Sequence, residues 1–463
     1  MKRVTDPRWA EQRQTRAARE RAVLVGVEVH GREALLTLDE SLDELERLTA
    51  TAGAVAVSRV TQRLDAINPG TYIGSGKLQE VKALLHEFDA DLVIFDDELS
   101  AAQLRNIERE LDCKVLDRTA LILDIFAMRA NTREAALQIE LAQYAYRLPR
   151  LTRQWTHLSR QAVGGVGLRG PGETQLEIDR REIQRRMSQI RAELEHVRQQ
   201  RGLRRRRRRR TGISVVSIVG YTNAGKSTLL NALSGSEVLA EDKLFATLDP
   251  TTKNVVLPDG KRVLFTDTVG FIQKLPTELV VSFRATLEEV HEADLLVHVA
   301  DASDTNVVEK VIAVEQVLAE IGAGDKPVLM VLNKIDLVDP DVLSRSSHER
   351  FSAAMPPLMR LRERYAEPVL ISAEQGVGLG ELLAAVAHAL AATMMAVETV
   401  IPYDMGDALN LWHEHGLVDT LDYADDGIHV TGRLPRWVAG RLGLLPDRDE
   451  DDIAAEPLMS ALD

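Results

Sequence analysis

The sequence predicts an α/β protein whose central part is a doubly wound, mainly parallel sheet. Two stretches of the chain, 22–128 and 213–394, alternate short apolar runs with helical patterns, which is typical of strand–helix units. With 463 residues, of which 45% are apolar, the chain is long enough for about two to four domains with ordinary cores. We therefore expect several α/β units in one chain.

Changes in pattern and composition divide the chain into six segments. These are a flexible N-terminal extension (1–21), an N-terminal α/β domain (22–132), an antiparallel helical hairpin with a glycine-rich tip and an arginine run (133–210), a central strand–helix domain (211–396), a small α+β domain (397–445) and an acidic tail (446–463). The first residues are mostly polar, so we expect no signal peptide, and no apolar run is long enough for a membrane span. The single cysteine, Cys113, excludes an intramolecular disulfide and favours a reducing compartment.

The N-terminal domain is predicted to contain four strands and four helices around a partly parallel sheet. We place the strands at 22–29, 54–60, 91–95 and 114–116 and the helices at 41–49, 77–88, 100–111 and 120–128. The loop Gly74-Ser75-Gly76-Lys77 has part of a phosphate-loop pattern but lacks the full spacing. It could equally be the turn that caps the following helix.

Two helices with heptad seams are predicted next. The seam residues are Leu137, Leu141, Tyr144, Leu148 and Leu151 in the first arm and Ile183, Met187, Ile190, Leu194 and Val197 in the second. Their four–three spacing is typical of a coiled-coil stripe, and Pro149 should kink or end the first arm. Five glycines and a proline within 164–173 cannot continue a helix, so we expect a hairpin tip there.

Positive charge is concentrated in this hairpin. Residues 147–210 contain 19 arginines, no lysine and six acidic residues, whereas the whole chain has a net charge of −14. Seven consecutive arginines at 204–210 repel each other, and we expect them to be poorly ordered without a partner. The pattern favours a localised RNA contact over a solvated helix face, and an aromatic content of 4% argues against base stacking on single strands. The candidate RNA-binding residues are Arg169, Arg180, Arg181, Arg204, Arg207 and Arg210.

The clearest chemical motif is the sequence GYTNAGKS at 220–227, which fits the full G-x-x-x-x-G-K-[ST] template. It lies between an apolar strand at 215–219 and a helix at 228–233, as a phosphate-binding loop requires. Lys226 should reach the β- and γ-phosphates, and Ser227 should give an oxygen to magnesium. The residues expected at the nucleotide are Gly220, Tyr221, Thr222, Asn223, Ala224, Gly225, Lys226, Ser227 and Thr228.

Three further motifs follow in the order of a G domain, each at the end of a predicted strand. In the first, Asp267-Thr268-Val269-Gly270, the carboxylate should hold magnesium through water and the Gly270 N–H should contact the γ-phosphate. In the second, Asn333-Lys334-Ile335-Asp336, the last carboxylate can accept from two donors of guanine that adenine lacks. In the third, Ser372-Ala373, a backbone N–H can back the guanine O6. Together they predict a P-loop G domain that binds and hydrolyses GTP with Mg²⁺.

A loop between the first two motifs should complete the magnesium shell. Its nucleotide-facing residues are expected to be Phe245, Ala246, Thr247, Leu248 and Asp249. From the residues alone, Thr247, Thr251 and Thr252 are all candidates for the magnesium ligand, and some of them could instead cap turns.

Two positions concern the rate of hydrolysis. Many GTPases have a glutamine after the Gly270 position to orient the attacking water, but here the residue is Phe271, so we expect slow hydrolysis without a partner. Asn223 could hold a potassium ion beside the phosphates, or its amide could only stabilise the loop. The catalytic candidates are Lys226, Asn223, Thr247 and Gly270.

The motifs GYTNAGKST, FATLDPTT, DTVGF and NKID together resemble the HflX family of GTPases. The upstream sequences YIGSGK, FDDELS and GLRGPGETQ resemble the same family, and the resemblance covers about 22 to 440. It implies a protein that binds the large ribosomal subunit and its RNA and splits stalled or stress-affected ribosomes, with the hairpin tip near the peptidyl-transferase centre. It also implies Ser227 and Thr247 as the magnesium ligands. The arginine run and the acidic tail depart from the family pattern.

We therefore expect a ribosome-stimulated GTPase that is cytoplasmic and monomeric and associates with membranes only peripherally, through ribosomes. One alternative is a hibernation factor that occupies ribosomes with little need for hydrolysis. Another is an RNA-remodelling ATPase that works from the N-terminal domain, although the chain has no full set of helicase motifs.

Overall fold

The computed structural model describes residues 19–31, 34–151, 175–211, 213–235, 244–245, 247–274, 289–338, 361, 364–365 and 368–444. The acidic tail, the glycine-rich tip with Arg169, and Ala246 lie outside the described residues. Among the described helices, none is both long and apolar enough to cross a membrane.

The N-terminal domain is a four-stranded sheet in the order β2-β1-β3-β4. Its elements are β1 (Arg21–Val29), α1 (Leu38–Thr51), β2 (Val55–Leu64), α2 (Ser75–Glu87), β3 (Leu92–Phe95), α3 (Ala101–Leu111), β4 (Lys114–Asp117) and α4 (Arg118–Arg129). All of its strand pairs are parallel, which goes further than the partly parallel sheet expected from the sequence. A helix joins each strand to the next, and parallel strands require crossover connections of this kind.

Helices cover both faces of this sheet, so the central strand β1 is buried on both sides. Ala22 and Leu24 belong to one hydrophobic cluster together with residues of α1 and α4. Val23 and Val25 belong to another, together with residues of α2 and α3. The continuous apolar run that predicted the strand is explained by this double burial.

The helical hairpin begins with α5 (Arg133–Arg147), which ends just before a short 3₁₀ turn that contains Pro149. The predicted break at this proline is therefore confirmed. The second arm is α6 (Gln175–Thr211), whose Met187 and Ile190 are buried. Arg186 donates two hydrogen bonds to Glu140 of the first arm, at 2.8 and 2.9 Å. An ion pair therefore connects the two arms in addition to their apolar contact.

The expectation that the arginine run is poorly ordered was wrong, because the backbone of α6 stays helical through 204–210 to Thr211. Arginine is a good helix former, and the run extends an existing helix, so no new helix has to be nucleated. The side chains of Arg204, Arg207 and Arg210 lie outside the described residues. Earlier in the same helix, Arg180 and Arg181 are exposed.

The central domain is a six-stranded sheet in the order β10-β9-β8-β5-β7-β6. Its elements are β5 (Ser214–Gly220), α7 (Lys226–Ser234), β6 (Thr251–Val256), β7 (Arg262–Asp267), β8 (Leu295–Asp301), α8 (Val307–Glu320), β9 (Val328–Asn333), α9 (Ile335–Val338), β10 (Val369–Leu370) and α10 (Leu379–Ala392). Only β6 is antiparallel to its neighbour. The chain order reverses at β5, and ligands bind at such a reversal, beyond the carboxyl ends of the strands.

The C-terminal domain is an antiparallel three-stranded sheet in the order β11-β13-β12, packed with two helices. Its elements are β11 (Met395–Ile401), α11 (Gly406–His415), β12 (Leu417–Ala424), β13 (Gly427–Leu434) and α12 (Arg436–Arg441). The buried Trp412 lies in its core and donates a hydrogen bond to the Leu417 carbonyl at 3.0 Å. The α+β architecture expected for this segment is observed.

We predict that Ile190→Ala loosens the hairpin. Ile190 is fully buried between the arms, and removing such a side chain costs about 2–4 kcal/mol. Amide hydrogen exchange of α5 should become faster. Ile178→Ala is the matched control, because Ile178 lies in the same helix but is 44% exposed. Equal exchange rates in the two variants would contradict the predicted packing.

Candidate nucleotide-binding site

The phosphate-loop motif joins the end of β5 to the start of α7, at the point where the strand order reverses. Gly225 has a φ of 90° and directly precedes the helix. A Cβ at this position would lie 2.2 Å from the Asn333 side-chain nitrogen, so only glycine fits. The loop therefore closes tightly around the space in front of the helix N-terminus.

Lys226 is buried beneath this loop, and its Nζ donates a hydrogen bond to the Tyr221 carbonyl at 2.8 Å. Burial lowers the pKa of Lys226 to about 8, with the Asp267 carboxylate acting in the opposite direction. An anion in front of the loop would favour the charged form of this lysine. The arrangement suits a phosphate group.

Three side-chain oxygens converge next to Lys226. The Ser227 Oγ lies 2.7 Å from the Thr247 Oγ1 and donates to the Asp267 Oδ2, also at 2.7 Å. Asp267 is buried, and burial raises the pKa of its carboxyl. Its Oδ1 is buried without a hydrogen-bond partner among the described residues, which leaves a lone pair for a cation. Such a set of hard oxygen donors fits Mg²⁺.

The structure distinguishes among the three threonines that the sequence offered as a magnesium ligand. Thr247 is the one that lies against Ser227. Thr251 and Thr252 belong to β6, and the Thr252 hydroxyl is hydrogen-bonded to the Thr266 hydroxyl at 3.0 Å. Geometry thus favours the same threonine as the family resemblance.

Asn333 joins the two sides of the expected base pocket. Its Nδ2 donates to the Ala224 carbonyl and its Oδ1 accepts from the Ala373 N–H, both at 2.9 Å. Lys334, which follows it with a φ of 63°, forms an ion pair with Asp301 at 2.7 Å. Asp336 lies in the short helix α9 directly after this motif. The structure therefore brings together the phosphate loop, the Asn333-Lys334-Ile335-Asp336 motif and the Ser372-Ala373 motif.

Gly270 lies against the phosphate loop. The Thr222 N–H donates to the Phe271 carbonyl at 2.7 Å, and the Phe271 N–H donates to the Gly220 carbonyl at 3.1 Å. A Cβ on Gly270 would lie 3.0 Å from the Lys226 Nζ, so a side chain would crowd the cradle. The Phe271 side chain is buried in a hydrophobic cluster and faces no open site, so it cannot orient a water molecule.

The loop around Thr247 packs against the N-terminal half of the chain. The Phe245 ring meets the Phe126 ring of α4 edge to face, with centroids 4.6 Å apart. The Asp249 Oδ2 accepts from the backbone N–H groups of Asn131 and Thr132, both at 3.1 Å. Thr132 caps helix α5, so a motif of the G domain contacts the start of the hairpin.

Two contributors to the site were missed by sequence reasoning. His298 in β8 is buried, its Nδ1 has no partner among the described residues, and burial together with the Lys226 charge lowers its pKa to about 3. A histidine inside an apolar strand was the available signal. The second is a cavity of about 740 Å³ between α1 and the phosphate loop, whose lining includes Arg47, Tyr221 and Asn223.

Comparisons with known proteins agree with this site. Family models match residues 39–127 ("GTP-binding GTPase N-terminal"), 129–208 ("GTP-binding GTPase Middle Region") and 215–334 ("50S ribosome-binding GTPase"). The chain is 45% identical to a GTPase HflX of Caldanaerobacter subterraneus, with 92% of this chain and 93% of that protein covered. It is 42% identical to the GTPase HflX of Escherichia coli, with 86% and 90% covered.

A solved structure of a GTP-binding protein from the archaeon Sulfolobus solfataricus, in complex with GDP, is 25% identical. The match covers 80% of this chain and 98% of that chain, with a TM-score of 0.42.

We predict that His298 makes the G domain less stable in acid. The unfolded chain binds a proton near pH 6.5, but folded His298 does not until about pH 3, so stability falls as the pH drops through this window. Between pH 7.5 and 5, wild type should lose about 2 kcal/mol more unfolding free energy than His298→Gln. The exposed His86 provides the control variant His86→Gln. Parallel pH profiles for wild type and His298→Gln would contradict the prediction.

Proposed function

The chain belongs to the HflX family of GTPases, and we propose that it binds the large ribosomal subunit and splits or rescues stalled or stress-affected ribosomes. Hydrolysis of GTP is slow in the free protein and is stimulated by the ribosome. The match to a family described as 50S ribosome-binding GTPases supports the partner. The arginine-rich hairpin supports ribosomal RNA as the surface that it contacts.

The observation that carries this proposal is the contact between Asp249 and Thr132. Asp249 lies two residues after Thr247, and Thr132 begins the first arm of the hairpin. A loop that orders around the γ-phosphate and rearranges after hydrolysis would therefore change the support of the hairpin. This gives the nucleotide a direct way to control the affinity for RNA.

In the bound state, Lys226 and the phosphate-loop backbone would neutralise the phosphate oxygens, and Gly270 would contact the γ-phosphate. Ser227 and Thr247 would hold Mg²⁺ directly and Asp267 through water, and the ion would supply positive charge to the β- and γ-phosphates. Asp336 would select guanine. Because Phe271 is buried, the orientation of the attacking water is left to a group from the ribosome.

Potassium is proposed as a second cation, held by Asn223. The Asn223 side chain is exposed at the cavity, and its amide has no hydrogen bond among the described residues. That observation favours an available ligand over an amide engaged in stabilising the loop. A cation there would place charge beside the phosphates, as an arginine finger does.

The structure offers less support for an ATPase in the N-terminal domain. At Gly74-Ser75-Gly76-Lys77, the Gly74 N–H donates to the Gln62 side chain at 3.0 Å, and Lys77 pairs with Glu80 at 2.8 Å. These groups already have partners, which favours a helix cap.

A variant that binds GTP but cannot hydrolyse it distinguishes a hibernation role from ribosome splitting. A splitting factor should need hydrolysis to be recycled, so the variant should lose repeated splitting, whereas a hibernation factor should still occupy ribosomes. We propose a cytoplasmic monomer, associated with membranes only through ribosomes.

We predict nucleotide-dependent cosedimentation with the large subunit. The protein should pellet with purified large subunits in a non-hydrolysable GTP analogue, and much less in GDP or ATP. Binding should weaken steeply with salt, because each phosphate contact releases counterions. Lys226→Ala, which removes the phosphate-loop cation, is the control. If the amount pelleted does not depend on the nucleotide, the ribosomal role is wrong.

We also predict that potassium accelerates GTP turnover at least about tenfold over sodium. Asn223→Ala should remove this difference. Asn306 lines the same cavity, so Asn306→Ala serves as the matched control and should keep it. Steady-state phosphate release in the two salts provides the measurement, and equal rates in wild type would exclude a potassium site.

A further inference from the structure

We propose that a buried charge cluster of the N-terminal domain positions the segment 270–274 of the G domain for contact with the γ-phosphate. Glu44 and Arg118 would then be positioning residues for GTP hydrolysis that lie outside the G domain. This inference rests on the proposed binding of GTP at the phosphate loop.

The cluster is centred on Arg118, which is 1% exposed. Its Nη1 donates to the Asp96 Oδ1 at 2.8 Å, and its Nη2 donates to the Glu44 Oε2 at 2.6 Å. The Ser41 hydroxyl donates to the other Asp96 oxygen at 2.7 Å. Two buried carboxylates thus share one guanidinium, which leaves an excess of negative charge that needs further donors.

The first of these donors is Tyr221, the second residue of the phosphate loop. Its hydroxyl donates to Glu44 at 2.6 Å and accepts from the Gln273 N–H at 2.9 Å. Burial and the neighbouring Glu44 carboxylate raise the pKa of Tyr221, so the hydroxyl keeps its proton. A single hydroxyl therefore joins the N-terminal domain, the phosphate loop and the segment that follows Gly270.

The second donor is Lys274, whose ammonium group contacts Asp96 and, at 2.9 Å, Asp97. The adjacent Gln273 side chain donates to the Ser41 hydroxyl at 3.0 Å. Lys274 has a φ of 54°, a conformation that costs energy for a residue other than glycine. The ion pairs with the cluster offset this cost and keep the chain turned here.

The other end of the segment is fastened to the phosphate loop by the two backbone hydrogen bonds of Phe271. Gly270 is consequently held next to Lys226 by the contacts of the four residues that follow it. A segment that is ordered in advance loses little conformational entropy when it contacts a ligand. Since only the triphosphate has a γ-phosphate, the benefit should appear in GTP binding and turnover, and hardly in GDP binding.

The test removes one hydroxyl. In full-length Tyr221→Phe, affinity for a non-hydrolysable GTP analogue should fall about tenfold, the effect of losing one hydrogen bond to a charged group. Affinity for GDP should stay within about twofold, and kcat should fall more than KM rises. Tyr365→Phe is the matched control, because its hydroxyl also donates to a carboxylate, that of Glu315, within the G domain.

A merely structural role of the contact predicts a different result. Tyr221→Phe would then have a lower melting temperature, and its affinities for the GTP analogue and for GDP would fall equally. That outcome would overturn the proposal. A rise in kcat would overturn it as well, because the cluster would then restrain the segment. Glu44→Gln keeps an acceptor for the Tyr221 hydroxyl and should lose less discrimination between GTP and GDP than Glu44→Ala.

Lys274→Gln tests the other contact with little risk to folding, because this side chain is 35% exposed. The ratio of GTP to GDP affinity should shift in the same direction as in Tyr221→Phe. Lys114→Gln, which breaks an exposed ion pair with Glu20, should leave it unchanged. If wild type fails to bind GTP, the proposed function is wrong; if it binds but the ratio stays constant in the variants, only the positioning role is wrong.

Discussion

The guanidinium of Arg118, buried between Glu44 and Asp96, is the interaction on which the arrangement of the two α/β domains depends. Removing three charges from water costs several kcal/mol for each ion, and hydrogen bonds to the charged groups are needed to offset that cost. Arg118 and Ser41 of the N-terminal domain provide part of the hydrogen bonding to the two carboxylates, and Tyr221 and Lys274 of the G domain provide further donors. Separating the domains would expose an incompletely satisfied cluster, so each domain stabilises the other.

Within the G domain, too, single polar side chains connect separate segments of the chain. Asn333 uses both ends of one amide to fix the phosphate loop and the Ser372-Ala373 motif. Asp249 uses its carboxylate to hold the backbone at the start of α5. Polar groups of the proposed nucleotide site therefore also determine where neighbouring segments lie. Under the proposed function, a change in the site would reach these segments through hydrogen bonds, whose directionality would make the response specific.

The sequence was sufficient for the features that have fixed local patterns. The phosphate loop requires glycines at set positions, and strands buried on both faces, such as β1, must be continuously apolar. The Tyr221–Glu44 contact has no such pattern, because its partners are 177 positions apart and neither residue type is unusual where it occurs. The arginine run was misjudged because its mutual repulsion was weighed without the helix that precedes it. His298 was overlooked because one polar residue hardly alters the apolar periodicity of β8.

The length of α6 has a geometric consequence. Its 37 residues correspond to roughly 55 Å, and the arginine run lies at the end that leads into β5, the strand that precedes the phosphate loop. The glycine-rich sequence precedes the opposite end. A partner that engages both ends must present two surfaces separated by about this distance. An assembly whose two surfaces lie at a different distance would therefore contact only one end of the helix.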